Sequence, residues 1–470
     1  MMRFATARKL DRLFPRAMVP SRAGNVRVAK RLVLGPGREA EPPRILIHPE
    51  ALPSIMERIE ADLLIPGRGE PIRNGCVVLD GSTIAFAGPI EGAPKVPAGT
   101  PVHRVPVVMP GLWDCHGHFM GIRATNVEDI AKTSLPVLTA RSVADANRAL
   151  VAGFTSVRDL VGLGIHLARV VDEGTIPGPH IYGGGAMLSP TAGHGDLHMF
   201  PTSYIHALGA AGYFFQLCDG ISECLRGVRN QLRLGARVIK VCASGGVMSE
   251  MDHPVHQQFS DDELQAIVRE AAQAERIVAA HCHGKPGIMA ALRAGCGTIE
   301  HGSYLDEEAV DLMIQRKAIL VPTRYILERL IALGPKMNIP DYAFRKVVAI
   351  GDQHKRSLQL AIRKGVRIAL GTDIWSTGEG TIAPWGQNAQ ELVHLVDAGM
   401  TPLQAIEAAT ANAPMTLGPQ APKSGQLKAG YDADVLAVRK DPLGDIAVLA
   451  SPENLITVWK SGQAIDRSTR

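Results

Sequence analysis

The chain has 470 residues, 46% hydrophobic and 20% charged, a composition that can bury a large core and that excludes wholesale disorder and a small disulfide-stapled fold. The formal charge of +4 belongs to one end, because residues 1–40 hold ten Lys or Arg against only Asp11 and Glu39, leaving 40 basic and 44 acidic residues elsewhere. Without a basic stripe interleaved with aromatics no nucleic-acid partner is expected, and without an apolar run of roughly 18 residues no membrane partner is expected either.

Residues 1–45 read as a basic extension, expected to be disordered. Being Arg-rich and acid-poor, they also fit a transit-like segment, and no apolar stretch of the secretory type follows. Seven cysteines, at 76, 115, 218, 224, 242, 282 and 296, are odd in number and form no C-x-x-C pair. That favours reduced thiols and a cytoplasmic location over the transit-like alternative.

Over 58–109, short apolar runs at 61–65, 76–79 and 84–87 are broken by turn residues and predict strands, the first part of a small β domain. From residue 105 the rhythm becomes strand, loop, helix. Eight strand candidates follow, at 105–109, 154–158, 180–184, 237–242, 277–281, 298–300, 318–322 and 367–370. Helices are predicted at 143–152, 261–275, 307–317 and 345–364, each ending near a Gly or a cationic residue. Helices at 387–398 and 402–411 come next, and strands return at 433–437 and 455–459. The fold class is therefore α/β: a (β/α)8 barrel over 110–412, with a small β-sandwich domain built from both chain ends, its second part being 413–470.

Metal-type ligands recur just after the apolar strands, the face on which barrels build active sites. His116 and His118 flank Gly117, and alternate residues of an extended chain point the same way, so both can grip one ion. His281 and His301 close two further strands, and Asp373 closes the eighth. Singly, each histidine reads as well as a surface or core residue, and Asp373 as a helix N-cap. Four imidazoles and a carboxylate at successive strand ends make an all-structural reading improbable. Lys240 sits inside the apolar segment Val238–Val241, where lost solvation favours the neutral amine. A stem reaching water is the plainer alternative. Beside histidines, however, a neutral amine can add carbon dioxide, and the resulting carbamate can bridge two cations.

Eight motifs in this order, LLIPGRGEP, RVPVVMPGLWDCHGHF, TAGHGD, VIKVCASGGVMS, AHCHGKPGIMAAL, EHGSY, IALGTD and ATANAPMTLGPQAP, resemble the metal-dependent amidohydrolase superfamily. Within it they look closest to the ochratoxinase group, near the imidazolonepropionase-like and Xaa-Pro dipeptidase branch. The resemblance spans nearly the whole chain after residue 60. It implies His116 and His118 on the more buried of two divalent metal ions, His281 and His301 on the other, a bridging carbamate on Lys240, and Asp373 as ligand and proton shuttle. Zinc is the implied metal, a small-molecule amide the implied partner, and a homo-octamer the implied assembly. The implied reaction splits the amide of an N-acyl amino acid or dipeptide-like substrate, ochratoxin A giving ochratoxin alpha and phenylalanine. Cyclic-amide hydrolysis, Xaa-Pro dipeptide cleavage and a non-catalytic scaffold are the alternatives, the last disfavoured because all six ligand residues are present.

Around this core, His283 can hydrogen-bond an oxyanion or simply pack. His194 and Arg324 are candidates for a substrate carboxylate, Arg for its planar fork, although both types are common on solvated loops. The Ser244-Gly245-Gly246 turn can offer backbone N–H groups to an anion or be a tight turn only. Gly117 is expected to leave room, and 250–256 to be a variable loop.

Overall fold

The structure is a computed structural model that describes residues 56–467, so the extension read at 1–45 lies outside the described residues. Strands of the larger part are buried on both faces, as parallel strands covered by helices must be. In chain order they are Leu112–Ile122, Phe154–Asp159, His180–Gly183 resumed at Met187–Ser189, Ile239–Cys242, Val278–Cys282, Thr298–His301 and Ile319–Val321, followed by an eighth passage ending in Ile374–Ser376. Neighbours pair in parallel, and backbone hydrogen bonds join the successive sheets. Val241 lies opposite Leu188, and Arg237 N–H donates to the Gly183 carbonyl at 2.9 Å. Leu320 bridges Ile368, while Cys115 N–H donates to Leu370 at 2.8 Å and Ile374 lies opposite Gly117. This is the eight-stranded (β/α) arrangement read from the rhythm of the sequence.

Local chemistry sets the helix ends. Asp261–Gln273 opens on a reciprocal cap between Ser260 and Glu263, and Gly220–Leu234, Lys285–Ala294 and Asp341–Lys364 close on left-handed Gly235, Gly295 and Gly365. Among the described residues no helix is long and apolar enough to cross a membrane.

The two chain ends meet in one seven-stranded sheet. Its order is Gln463–Ala464, Leu455–Lys460, Val435–Val438, Val102–Pro110, Met56–Leu64, Ile72–Asp80 and Thr83–Pro89. The last strand curls back on 430–433, Ile84 N–H donating to the Tyr431 carbonyl at 2.8 Å, and encloses a core that includes Ile59, Val77, Val435 and Trp459.

Three expectations need correction. The run at 105–109 is no barrel strand: Val102–Pro110 pairs with Met56–Leu64 and Val435–Val438 in the small sheet. The first barrel strand is Leu112–Ile122, so His116 and His118 lie within a strand and not after one. Asp114, His116 and His118 interrupt its apolar pattern, yet every residue of it is buried, because these polar side chains find partners inside. At 367–370, only Ile368 makes a strand bridge, and regular pairing on the eighth passage comes later, at Ile374–Ser376. The helix read at 143–152 begins eight residues earlier, at Leu135.

Candidate active site

The site is assembled from strand ends. Buried Asp114 accepts from the His116 backbone N–H at 3.0 Å, from the Thr372 N–H and hydroxyl at 3.1 and 2.5 Å, and from Asn388 at 2.7 Å. It thereby pins the first strand to the eighth and brings His116 and His118 against Asp373. His301, Thr323 and Asp373 all hold left-handed backbone, with φ of 69°, 54° and 60°, a conformation that L-residues adopt at a cost and that clusters at functional sites.

Each of four imidazoles has one nitrogen tied to an acceptor behind it. His116 Nδ1 lies 2.7 Å from Glu300, His118 Nδ1 donates to the Val161 carbonyl at 3.0 Å, and His281 Nε2 donates to the Gly245 carbonyl at 3.2 Å. His301 Nδ1 lies 2.7 Å from the Thr323 hydroxyl, which itself donates to the Pro322 carbonyl. A neutral imidazole carries one proton, so the protons sit on these outer nitrogens and the other four present lone pairs inward. Those inner atoms converge. His281 Nδ1 and His301 Nε2 are 2.9 Å apart, and Asp373 Oδ1 is 2.8 Å from His118 Nε2 and 3.6 Å from His116 Nε2. Lys240 Nζ is 3.4 Å from His116 Nε2.

The protonation states agree. Burial drives His116 down to about 4 and holds His281 and His301 well below the ordinary histidine range. Burial also lowers Lys240, favouring the free amine. Lone pairs facing lone pairs at 2.9 Å repel unless a cation lies between them, and two groups, His116/His301/Asp373 and His281/His283/His301, have ligand atoms close enough to share one. The donor set therefore fits divalent metal.

A cavity opens over this cluster. Its walls include Met248, Phe214, Phe215, Leu327, Leu330 and Trp375, so the polar cluster stands on the floor of a chamber with large apolar walls. His283 lines it, with Nδ1 2.7 Å from the Ser303 hydroxyl, and burial lowers its pKa to about 3. His194 lines it too, stacked on His281 at 4.3 Å, with Nδ1 2.8 Å from the Ser249 hydroxyl. The structure thus brings eight of the nine candidates together.

Arg324 is the exception. Its guanidinium is buried against Glu328 at 2.6 and 2.9 Å and the Gly351 carbonyl at 2.5 Å, and it does not line the cavity. The expectation that it takes a substrate carboxylate is withdrawn, because its donors tie its own helix, through Glu328, to the helix Asp341–Lys364, through Gly351. Gly117 also differs from expectation. A Cβ there would lie 2.5 Å from the Trp385 ring, so the glycine admits an indole and leaves no open room.

Sequence reading missed the supports Asp114, Arg158 and Glu300: the first and last lie inside quoted motifs and Arg158 inside a strand, none of them at metal-ligand spacing. Glu300 directly precedes His301, and that adjacency was the available signal.

The chain is similar to known proteins over most of its length. The amidohydrolase family model matches residues 107–465. Ochratoxinase of Aspergillus niger is 46% identical over 423 residues, 86% of this chain and 85% of that protein. Its crystal structure superposes with a TM-score of 0.80 at 45% identity, covering 87% of this chain and 95% of that one. A Xaa-Pro dipeptidase solved with bound methionine superposes at 0.78 with 29% identity, covering 87% and 100%. From the ordered motifs, the barrel and these matches, the chain belongs to the amidohydrolase family, whose members are generally metal-dependent, and is a hydrolase acting on amide carbon–nitrogen bonds.

Proposed function

We propose a binuclear metal-dependent hydrolase that splits the amide of N-acyl amino acids with an apolar C-terminal side chain, ochratoxin A included. The observation that carries the metal reading is the clustering of unprotonated imidazole nitrogens, those of His116 and His118 at Asp373, that of His116 near Lys240, and those of His281 and His301 on each other. His116 and His118 would hold one ion and His281 and His301 the other, with Lys240 as bridging carbamate and zinc as the metal that suits such a set. Two ions so held would supply a hydroxide nucleophile at neutral pH and polarise the scissile carbonyl.

The chain's own groups do the rest. Asp373 takes the nucleophile's proton and returns it to the departing amine nitrogen, a transfer its place beside His118 and on the cavity floor suits. His283 faces the developing oxyanion. The apolar walls receive an aromatic acyl group and exclude water. In this reading the enzyme acts in the cytoplasm as a homo-octamer.

Support for this substrate class is the 46% identity to a protein named ochratoxinase. The Xaa-Pro dipeptidase likeness favours a second reading, cleavage before proline. The test is release of phenylalanine from ochratoxin A by the metal-loaded enzyme, run beside release of proline from N-acyl-proline and opening of imidazolonepropionate. An undetectable first rate with either of the others high would overturn the ochratoxin assignment.

A further inference from the structure

An N-acyl amino acid carries a free carboxylate two bonds from the scissile nitrogen. The cavity offers it no obvious cation: among the described residues that line it, Lys240 is the only Lys or Arg, and it stands 3.4 Å from His116 in the ligand cluster. Glu128, Asp196 and Glu250 also line the cavity and repel an anion. A carboxylate held there needs a dedicated N–H.

Two nitrogens among the lining residues are buried with no hydrogen-bond partner, Trp375 Nε1 and His198 Nε2. An indole nitrogen is a donor only. His198 Nδ1 accepts from the Met251 N–H at 3.2 Å, so its proton lies on Nε2. Leaving such a donor unpaired costs about as much as a lost hydrogen bond, and native proteins rarely tolerate it without use. The two sit in different places. His198 is tied to a loop whose Met251 is 74% exposed. Trp375 is 4% exposed and lies on the eighth passage two residues after Asp373. Both Asp373 and Trp375 line the cavity.

Resting on the N-acyl amino acid reading above, we propose that Trp375 is a specificity-determining residue whose indole N–H receives the substrate's α-carboxylate while Asp373 serves the adjacent amide nitrogen. The carboxylate is then recognised by a neutral donor and not by an ion pair.

The test compares N-acetyl-L-phenylalanine with N-acetylphenethylamine, which lacks only the carboxylate, in the wild type, Trp375→Phe and His198→Gln. Trp375→Phe should raise KM for the acid on the order of tenfold and leave KM for the phenethylamine within about twofold, the loss expected for one hydrogen bond to a charged acceptor. His198→Gln should leave the ratio of the two KM values unchanged. Equal changes for both compounds in Trp375→Phe, or a ratio that moves in His198→Gln alone, overturn the proposal. Should Trp375→Phe not fold, product inhibition of the wild type decides: L-phenylalanine should bind on the order of tenfold tighter than phenethylamine, and equal binding overturns the assignment. A wild type inactive on every N-acyl amino acid rejects the underlying function, whereas an active one with an unmoved ratio rejects the role of Trp375 alone.

Discussion

Arg158 donates to Glu300 at 2.8 Å with neither side chain exposed, and the other oxygen of Glu300 lies 2.7 Å from His116 Nδ1. Glu300 thus ties a buried cation to the orientation of a proposed ligand. Burial alone would raise its carboxyl, but Arg158 and His116 prevail and lower it to about 2. Replacing Glu300 by Gln keeps the shape and leaves the Arg158 charge unmatched, which should cost roughly 3–5 kcal/mol of stability. Metal affinity should fall about 10–100-fold, as when a partner behind a ligand is lost. Thermal unfolding and metal titration of the same preparation check both.

Lys240→Ala should lose bound metal and activity together. The amine is buried among the histidines with its charged form disfavoured, which is the condition for carbamate formation. Lys240→Arg should fail as well, since a guanidinium stays cationic. A variant as metal-loaded and as active as the parent would end the carbamate reading.

For Asp373→Asn the fold should persist while turnover falls by a factor on the order of 10² to 10⁴, the range for a lost proton transfer. Rates near those of the parent anywhere between about pH 6 and 9 would remove Asp373 as the proton carrier.

Glu391 gives a pH signature away from the chemistry. It accepts the Arg324 and Tyr325 N–H groups at 2.9 and 2.5 Å, and burial nevertheless raises its carboxyl to about 8. A carboxyl raised in the folded state binds its proton more tightly there than in the unfolded chain. Its contribution to stability is complete below the unfolded value of about 4.3 and is lost as pH climbs through about 8. Melting temperature measured across that window should therefore decline less steeply in Glu391→Gln than in the parent. Parallel slopes would show that Glu391 is ionised throughout.

Much of the site was legible because polar side chains break otherwise apolar strands. His281, His301 and Lys240 all interrupt such segments, and a buried strand tolerates them only when they have partners or work to do. Spacing could not say where the strand itself lay. Leu112–Ile122 carries three polar residues whose partners come from residues up to 274 positions away, Asn388 on Asp114 for one, so its interior was invisible locally. Arg324 misled for the converse reason: its partner Glu328 sits one helical turn on, and nothing in the residue types told an intrahelical pair from a ligand clamp. Trp375 likewise reads as a core aromatic until its N–H is seen to lack an acceptor.

Lys346 connects the long helix Asp341–Lys364 to the loop over the cavity. Its ammonium lies 2.6 Å from the Ser249 carbonyl, 2.6 and 3.1 Å from the Asp252 carbonyl and carboxylate, and 3.3 Å from the Gly246 carbonyl. The same loop supplies Val247, Met248 and Ser249 to the cavity wall, and Ser249 donates to Asp252 at 2.5 Å while receiving His194 at 2.8 Å. One cation therefore fixes both the wall and the orientation of His194. Lys346→Met keeps the stem but removes the four contacts of the ammonium and leaves the buried Asp252 carboxylate to Ser249, Gly246 and Gln258 alone, a loss of about 1.5–3 kcal/mol per hydrogen bond to a charged group before the loop relaxes. Because Lys346 is absent from the ligand cluster, metal content should stay at the parent's level. The loosened wall should show as a KM increase larger than the fall in kcat, together with faster proteolytic cleavage within 246–252. Depletion of metal in Lys346→Met would instead mean that the loop helps hold His281 in place through the Gly245 carbonyl, and the two outcomes are separated by metal analysis of the purified variant.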